Sequence, residues 1–346
     1  MNILVLGGTG AMGTHLIDYY TTNNSSFVHV TSRKERKSHD NIQYIFGNAR
    51  DLLFIHKILN HTHYDVIVDF MNYNYEEFEE RYRLLLDACD HYIFLSSSRV
   101  YANYKGRITE DCPRLLETTD DVAFLSTNRY ALRKAREEDM LKNSGKTNYT
   151  IIRPYVTYSN RRLQLGIYEK EEWLYRVLND KPIIISDGIL DKMTTLTFGK
   201  DVAFGIYKLS LGKPISEAVH ITTRENMTWM EILSLYAEVI KSELGKVVEI
   251  YTSNDIKSIE LLYEGGYNTI YDRQWNRRFD NSKAERVCGH IDYLGMREGL
   301  KTCLREFLLD WEKYGNDLFL PLNNDYEIEM DKLTKNSSLR KEKVRL

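Results

Sequence analysis

The feature that most constrains this chain is a glycine-rich turn between two apolar segments close to its first residue. Residues 3–6 (ILVL) are continuously apolar, as in a strand buried on both faces, and residues 11–20 carry apolar side chains at helical spacing. The glycines between these segments are Gly7, Gly8, Gly10 and Gly13. Glycine permits the positive φ angles of a tight strand-to-helix turn, and its missing Cβ lets the backbone approach a ligand closely.

The helix after this turn would direct unpaired N–H groups and the positive end of its dipole at the ligand, which suits a pyrophosphate. An ordinary glycine-rich turn is the alternative, but strand, glycines and helix follow one another in the order that a dinucleotide site needs. We therefore predict such a site at this turn. The expected cofactor contacts are Gly7, Thr9, Gly10, Ala11, Met12 and Gly13.

Strand-like and helical segments alternate through the first half of the chain. The further strands are expected at residues 27–32, 42–47, 65–70, 91–97 and 149–154. This alternation predicts an α/β fold with a doubly wound parallel Rossmann sheet. The second half is less regular, with helices expected at 163–180, 227–244 and 294–315 and strands at 182–186 and 217–223. At 346 residues the chain is long enough for this half to form a second, smaller C-terminal domain.

Composition excludes several other classes of protein. The 346 residues carry a net charge of −3 with a pI near 6.3, so a general nucleic-acid-binding surface is not indicated. No apolar run reaches the roughly 18 residues that cross a bilayer, and the first strand begins too early to leave room for a signal peptide. The four cysteines lack C-x-x-C spacing, which favours a reducing compartment. We expect a cytoplasmic protein without membrane or nucleic-acid partners.

Three histidines close together raise the question of a metal site. His56, His61 and His63 occur in the segment HKILNHTH. They have no carboxylate or thiolate at a regular ligand spacing, so we interpret them as solvated loop residues. No metal site is predicted.

The end of the second strand bears on the choice of nucleotide. In such sheets an acidic residue at this position commonly binds the ribose hydroxyls of NAD, and this chain has Ser32, Arg33 and Lys34 instead. A hydroxyl and two cations would bind a 2′-phosphate that a carboxylate would repel. We therefore predict NADP in preference to NAD. The alternative is that Arg33 and Lys34 only solvate a loop.

A tyrosine and a lysine at helical spacing supply candidate acid–base chemistry. Tyr130 and Lys134 are four residues apart in NRYALRKAREEDML, so one helical turn puts them on the same face. A nearby ammonium favours the phenolate form of a tyrosine, and a serine hydroxyl can hold the substrate oxygen during hydride transfer. Tyr101 and Lys105 have the same spacing, but they lie in a loop beside Gly106. A purely structural role for Tyr130 and Lys134 is the alternative.

With these pieces in place, the chain resembles the extended short-chain dehydrogenase/reductase superfamily, whose members include NAD(P)-dependent epimerases, dehydratases and ketoreductases. The resemblance covers most of the chain. It rests on GGTGAMG, FLSSSRVY, YALRK, RPYVTYS, KDVAFGIY and FDNSKAERVCG. It implies a Rossmann domain of residues 1–160 with a return segment at 195–224. The substrate-binding domain would comprise 161–194 and 225–330, followed by a basic tail at 331–346.

The resemblance also implies roles for individual residues. Ser97 would bind the substrate oxygen, with Ser96 and Ser98 as close competitors. Tyr130 would be the acid/base, and Lys134 would tune it and hold the nicotinamide ribose. Further cofactor contacts are expected from Asn48, Ala49, Phe70, Met71, Asn72, Pro154 and Val156, and the stretch from Arg153 to Val156 would lie beside the nicotinamide.

Departures from the superfamily pattern affect the expected substrate. An Asn that helps to hold a nucleotide-sugar is replaced by Val156, and no clear diphosphate-binding arginine precedes the late strand. Lys192, or Arg161 and Arg162, would have to substitute for that arginine. Ser98 and Arg99 stand where sugar dehydratases carry Asp-Glu, which disfavours 4,6-dehydration.

Two further sets of residues have alternative interpretations. Tyr73 and Tyr75 would either shape the pocket or pack, and Arg277 and Arg278 would either face an anionic substrate or form a surface pair.

The resemblance implies epimerisation or keto reduction of a nucleotide-activated sugar as the activity. A reductase of another small carbonyl compound and a non-catalytic NADP-binding regulator are the alternatives. Because dimers are common among members of this superfamily, the resemblance also makes a homodimer a possible assembly.

Overall fold

Thirteen strands occur in the part of the chain that the structure, a computed structural model, describes: residues 1–23, 26–60, 62–253, 266–321 and 324–335. In chain order they are β1 Asn2–Leu6, β2 Phe27–Ser32, β3 Ile42–Phe46, β4 Tyr64–Asp69, β5 Cys89–Leu95, β6 Tyr149–Ile152, β7 Thr157–Tyr158, β8 Ile183–Ser186, β9 Met193–Thr194, β10 Thr197–Phe198, β11 Ala218–Val219, β12 Met227–Thr228 and β13 Ile250–Ser253. Seven of them form one parallel sheet in the order β11-β6-β5-β4-β1-β2-β3. This arrangement confirms the predicted doubly wound sheet.

Helices alternate with the strands in the first part of the chain, as the sequence pattern predicts, and the last three helices follow β13. The helices are α1 Gly13–Asn23, α2 Leu52–Leu59, α3 Tyr75–Asp87, α4 Leu115–Thr118, α5 Val122–Leu125, α6 Tyr130–Lys142, α7 Lys170–Leu178, α8 Asp187–Leu190, α9 Gly199–Ser210, α10 Trp229–Leu244, α11 Ser282–Cys288, α12 Met296–Tyr314 and α13 Asn324–Lys335. Short non-α turns occur at Ser98–Val100, Thr269–Arg273 and Gly315–Leu318.

The sheet has an apolar core on each face. Leu16 and Ile17 of α1 and Ile206 of α9 pack on one face, while Phe78 and Leu85 of α3 pack on the other. The continuously apolar β1 is buried on both faces because helices cover both. The sheet therefore holds the ends of β1, β4, β5 and β6 rigidly along one edge.

The return of the chain to this sheet positions the glycine turn. β11 extends the sheet beside β6, and α9 packs along α1. A Cβ built on Gly199, the first residue of α9, would lie 2.7 Å from the Ala11 carbonyl oxygen. The start of α9 thus supports the outer side of the turn.

The remaining helices form a second apolar cluster beside the sheet. Trp173 of α7 stacks on Tyr236 of α10 at a centroid distance of 4.9 Å, and both rings are buried. β8 and β13 form a separate two-stranded parallel sheet against this cluster. We propose that the substrate-binding domain comprises residues 161–194 and 225–330, as the resemblance implies.

Two predicted segments differ from the structure. The helix expected over 163–180 begins only at Lys170, because Gly166 has a φ of 59° within a Leu165–Tyr168 bridge. The tail expected from residue 331 is helical to Lys335, since Asp331 is held by Arg176 at 2.7 Å; residues 336–346 lie outside the described residues. Within the described ranges, none of the helices combines the length and the apolar character that a bilayer span requires.

Candidate active site

Gly7, Gly10 and Gly13 of the glycine turn have three different environments. Gly7 has a φ of 71°, which favours glycine, and its amide donates to the Thr31 hydroxyl at 3.2 Å. A Cβ on Gly13 would lie 2.5 Å from the backbone of Gly8, whereas a Cβ on Gly10 would meet no protein atom within 4 Å. The chain therefore forms a tight turn with close strand-to-helix packing and leaves open space at Gly10, which fits a dinucleotide phosphate.

The end of β2 offers exposed cations beside this turn. Arg33 and Lys34 are exposed, whereas the Ser32 hydroxyl is buried and committed to the Lys34 backbone, donating to its carbonyl at 2.7 Å. Of the three residues expected to hold a 2′-phosphate, the two cations are therefore the accessible ones. Ser32 would act by shaping the loop.

The three serines after β5 have different environments. The Ser96 hydroxyl donates to Glu138 at 2.6 Å, and the fully buried Ser98 hydroxyl donates to the Arg153 carbonyl at 2.7 Å. The Ser97 oxygen accepts from the Arg99 amide at 3.2 Å, and no acceptor among the described residues takes its proton. Only Ser97 thus combines a free donor with a position at the cavity described next.

A cavity of about 400 Å³ opens at this edge of the sheet. Its lining brings together Met12 of the glycine turn, Ser97 after β5, Tyr130 at the start of α6, and Pro154 and Val156 after β6. Its other polar lining residues are Asn72, Ser96, Arg99, Thr157, Arg162, Gln164, Glu169, Asn268 and Arg273. Residues from four separate parts of the sequence therefore meet where the resemblance expects a nicotinamide and a substrate.

Val156 has an unusual backbone conformation in this lining. Its φ of 32° lies in the left-handed region, which β-branched residues rarely adopt. Asparagine, which the resemblance expects here, tolerates that region more easily. The cavity therefore has an apolar side chain at a position whose backbone conformation suits asparagine better.

Tyr130 lies between two guanidinium groups. The guanidinium carbons of Arg99 and Arg133 are 5.1 Å and 5.7 Å from the centroid of its ring. No described residue hydrogen-bonds to its hydroxyl, and the residue is half-buried at the cavity. The phenol is therefore available to a bound molecule.

Lys134 has a different environment from the one that the resemblance implies. Its side chain is 2 % exposed, and its ammonium faces Glu137 at 2.9 Å as an ion pair. Asp69 at the end of β4 is fully buried within Coulombic reach of the same ammonium. Burial raises the pKa of Glu137 and that of Asp69, although the lysine opposes both shifts. Helical spacing permits this pair, since the two residues are three apart on α6.

We expect Glu137→Gln to destabilise the protein by about 1–3 kcal/mol, because removal of one partner leaves a buried charge less well compensated. Glu80→Gln, on the exposed face of α3, is the matched control and should change the unfolding free energy by less than about 0.5 kcal/mol. Chemical denaturation of the two variants measures the difference. Equal stability would show that the Lys134–Glu137 pair contributes nothing to the fold.

Three arginines share one carboxylate at the end of the cavity. Asp272 is 2.8 Å from Arg277 Nε and 3.5 Å from Arg99 Nε, and it also pairs closely with Arg273. Burial lowers the pKa of Arg277 to about 10, and it also lowers the pKa values of Arg99 and Arg273. Sequence patterns suggest Arg277 as one possible substrate ligand and mark Arg99 only as a departure from the dehydratases. They give no signal for Arg273 or Asp272.

Several predicted site residues lie elsewhere. Tyr73 is fully buried in the sheet core, where its hydroxyl donates to Asp69 at 3.4 Å, and Ser98 is committed to Arg153. Lys192 pairs with the adjacent Asp191 and does not line the cavity. The predictions for Tyr73 and Ser98 are therefore corrected, because each of these side chains already has an internal role. Lys192 pairs with an exposed neighbour at the surface and stays a prediction.

The remaining cofactor predictions divide by position. Asn72 lines the cavity and accepts from Arg133 at 2.8 Å, and the Met71 side chain lies against Gly7. Phe70 is half-buried and packs against the sheet core that contains α1 and α9. Ala49 is buried, and Asn48 is exposed beyond β3. Arg153, expected beside the nicotinamide, is instead buried on Glu138 at 2.5 Å. The described residues contain no group of three potential metal ligands.

The parallel sheet and the glycine turn after β1 define an α/β protein of the Rossmann type. A family model described as the NAD dependent epimerase/dehydratase family matches residues 3–210, more than half of the chain. The chain belongs to this family. None of the curated proteins compared with it matches its sequence.

Solved structures of the same class have a similar fold. WbmH of Bordetella bronchiseptica, solved with NAD+, is 14 % identical with a TM-score of 0.67, covering 91 % of this chain and 99 % of that one. UDP-glucuronic acid 4-epimerase of Bacillus cereus, solved with NAD, is 18 % identical with a TM-score of 0.64, covering 90 % and 99 %. UDP-N-acetylglucosamine 4-epimerase of Methanobrevibacter ruminantium M1 is also 18 % identical, with a TM-score of 0.67 over 89 % and 98 %. At these identities the similarity extends to the fold.

Proposed function

We propose that this chain is a nicotinamide-dinucleotide-dependent epimerase or ketoreductase that acts on a nucleotide-activated sugar through Ser97, Tyr130 and Lys134. One observation carries the proposal: the uncommitted hydroxyls of Ser97 and Tyr130 belong to residues that line the same cavity as Met12 of the glycine turn. The names of the solved relatives, which include two UDP-sugar 4-epimerases, support the substrate class.

In this proposal each residue has a separate task. The Ser97 hydroxyl donates a hydrogen bond to the substrate oxygen and so fixes the orientation of the reacting carbon. Tyr130 exchanges a proton with that oxygen, while Arg99 and Arg133 lie close to the charge that develops on the phenol. Lys134, one helical turn after Tyr130 and paired with Glu137, would tune the phenol and hold the nicotinamide ribose. The turn residues Gly7, Gly10 and Gly13 would hold the pyrophosphate of a nicotinamide dinucleotide, which supplies or accepts the hydride when bound.

Product analysis tests the proposed reaction. The protein is incubated with NADP(H) or NAD(H) and a panel of nucleotide sugars, and the mixtures are followed by NMR. We expect new ring-proton signals of an epimer or a reduced sugar with at least one member of the panel. Conversion of simple ketones but of no sugar would favour the carbonyl reductase alternative. A protein that binds dinucleotide without any turnover would contradict an enzymatic role.

We further propose NADP rather than NAD as the preferred dinucleotide, supported by exposed Arg33 and Lys34 at the end of β2. Arg33→Asp should weaken NADPH binding by about ten-fold or more and NADH binding much less, because it replaces a cation by an anion near the 2′-phosphate. Lys57→Asp, an exposed charge reversal on α2, is the control. Fluorescence titration with both nucleotides gives the ratio, and equal losses would exclude Arg33 as a phosphate ligand.

A further inference from the structure

The end of the cavity beside Tyr130 contains more buried positive charge than the protein compensates. Among the described residues, Asp272 is the one carboxylate that ion-pairs with Arg99, Arg273 or Arg277. Asp272, Arg273 and Arg277 are all at most 4 % exposed. Buried charges are normally paired, so three guanidinium groups around one carboxylate leave a deficit of negative charge.

The three arginines differ in their remaining hydrogen-bonding capacity. Arg277 is committed to the protein, since it also donates to the carbonyl oxygens of Tyr101 and Ala102 at 3.0 Å and 3.1 Å. Arg99 and Arg273 line the cavity and are only partly committed: Arg99 donates to Asn268, and Arg273 donates to the Gly166 carbonyl at 2.9 Å and to the Tyr155 hydroxyl at 3.3 Å. The Arg99 Nε atom lies 3.5 Å from Asp272, too far for a good hydrogen bond, and this atom has no other acceptor in the described part of the chain. The surplus charge therefore borders the cavity.

The location of Arg99 relates this charge to the reacting centre. Arg99 follows Ser97 by two residues, and its guanidinium carbon is 5.1 Å from the centroid of the Tyr130 ring. Arg162, the other arginine of the cavity, is compensated by Glu169 at 2.8 Å. An anion bound by Arg99 would thus lie beside the Tyr130 ring, in the cavity that Ser97 also lines. An acidic group on the reacting sugar would be held at that position.

We propose that the reacting half of the substrate is itself acidic, and that a carboxylate on the sugar ring binds between Arg99 and Arg273. The planar fork of a guanidinium matches a carboxylate with two parallel hydrogen bonds, which gives orientation as well as charge. The inference rests on the proposed function, which it narrows to nucleotide-linked sugar acids. The diphosphate of a nucleotide sugar is the other source of an anion, and the experiment separates the two.

Binding is measured by calorimetry or ligand-observed NMR on the protein saturated with NADP+. The first set of probes is UDP, UDP-glucose and UDP-glucuronate, and the second is free glucose, free glucuronate and inorganic phosphate. We expect the acidic sugar to bind at least about ten-fold more tightly than the neutral one in each set, that is, UDP-glucuronate over UDP-glucose and glucuronate over glucose. Arg99→Gln should abolish this preference, Arg99→Lys should retain part of it, and Arg224→Gln, at an exposed arginine paired with Glu285, should leave it unchanged.

The outcomes separate this inference from the proposed function. If Arg99→Gln weakens UDP and both UDP-sugars equally, Arg99 binds the diphosphate, and the inference is overturned while the nucleotide-sugar function survives. If only free glucuronate binds and depends on Arg99, the acidic substrate is supported and the nucleotide-linked substrate is not. If no acidic preference occurs in either set, the inference is overturned. Thermal melting of each variant excludes loss of folding as the cause.

Discussion

Tyr130→Phe is expected to lower kcat by about 100-fold to 10,000-fold, the usual contribution of a positioned acid or base. The substitution removes one oxygen atom that forms no hydrogen bond with the described residues, so the fold should not change. The ring itself is retained between Arg99 and Arg133. Dinucleotide affinity should therefore stay within about two-fold of the wild type.

The informative control is Tyr101→Phe, because Tyr101 also has a lysine four residues further on. Its hydroxyl is fully buried and lies 3.2 Å from His220, away from the cavity. We expect this variant to lose stability rather than intrinsic activity, since a buried partner loses its hydrogen bond. Steady-state kinetics together with thermal melting distinguish the two effects. If Tyr130→Phe turns over at the wild-type rate, the proposed proton transfer is wrong.

The second large effect is expected at the glycine turn. Gly13→Ala would place a Cβ 2.5 Å from the Gly8 backbone, which cannot move without opening the junction of β1 and α1. We expect a loss of about 1–3 kcal/mol in unfolding free energy and no measurable dinucleotide binding. Thermal melting and fluorescence titration with NADPH measure the two consequences separately.

Gly10→Ala is the matched control in the same turn. A Cβ at Gly10 meets no protein atom within 4 Å, so the free energy of unfolding should change by less than about 0.5 kcal/mol. If the pyrophosphate approaches this backbone, dinucleotide binding should weaken even though stability is kept. Unchanged binding in both variants would rule out the turn as the phosphate site.

Much of this architecture follows from local sequence patterns. The apolar segment 3–6, the spaced glycines and the alternating strands and helices predict the parallel sheet, and the structure confirms it. The spacing of Tyr130 and Lys134 also places both on α6. The residues at the substrate end of the cavity could not be predicted in the same way. Arg273 and Asn268 reach the cavity from a segment more than 130 residues after Tyr130.

The same limit explains the corrected residues. Tyr73 follows the end of β4 in sequence, as a pocket residue would, but its side chain turns into the core below Arg81. The run Ser96-Ser97-Ser98 has no internal signal for which hydroxyl remains free. The choice depends on Glu138 and on the Arg153 carbonyl, which occupy the neighbours of Ser97 from other elements.

By itself, the sequence determined the class of fold, the dinucleotide turn and the candidate acid/base, because periodicity and glycine geometry are local properties of the chain. Tertiary structure decided the charge balance of the site. The amine of Lys134 faces Glu137, and Arg99 and Arg273 share Asp272, since packing chooses which of many charged side chains lose water together. Lys134 and Glu137 are three residues apart on one helix, and Asp272 directly precedes Arg273, but Arg99 joins Asp272 from a distant part of the sequence. No local pattern predicts that last contact, because only the folded core brings the two segments together.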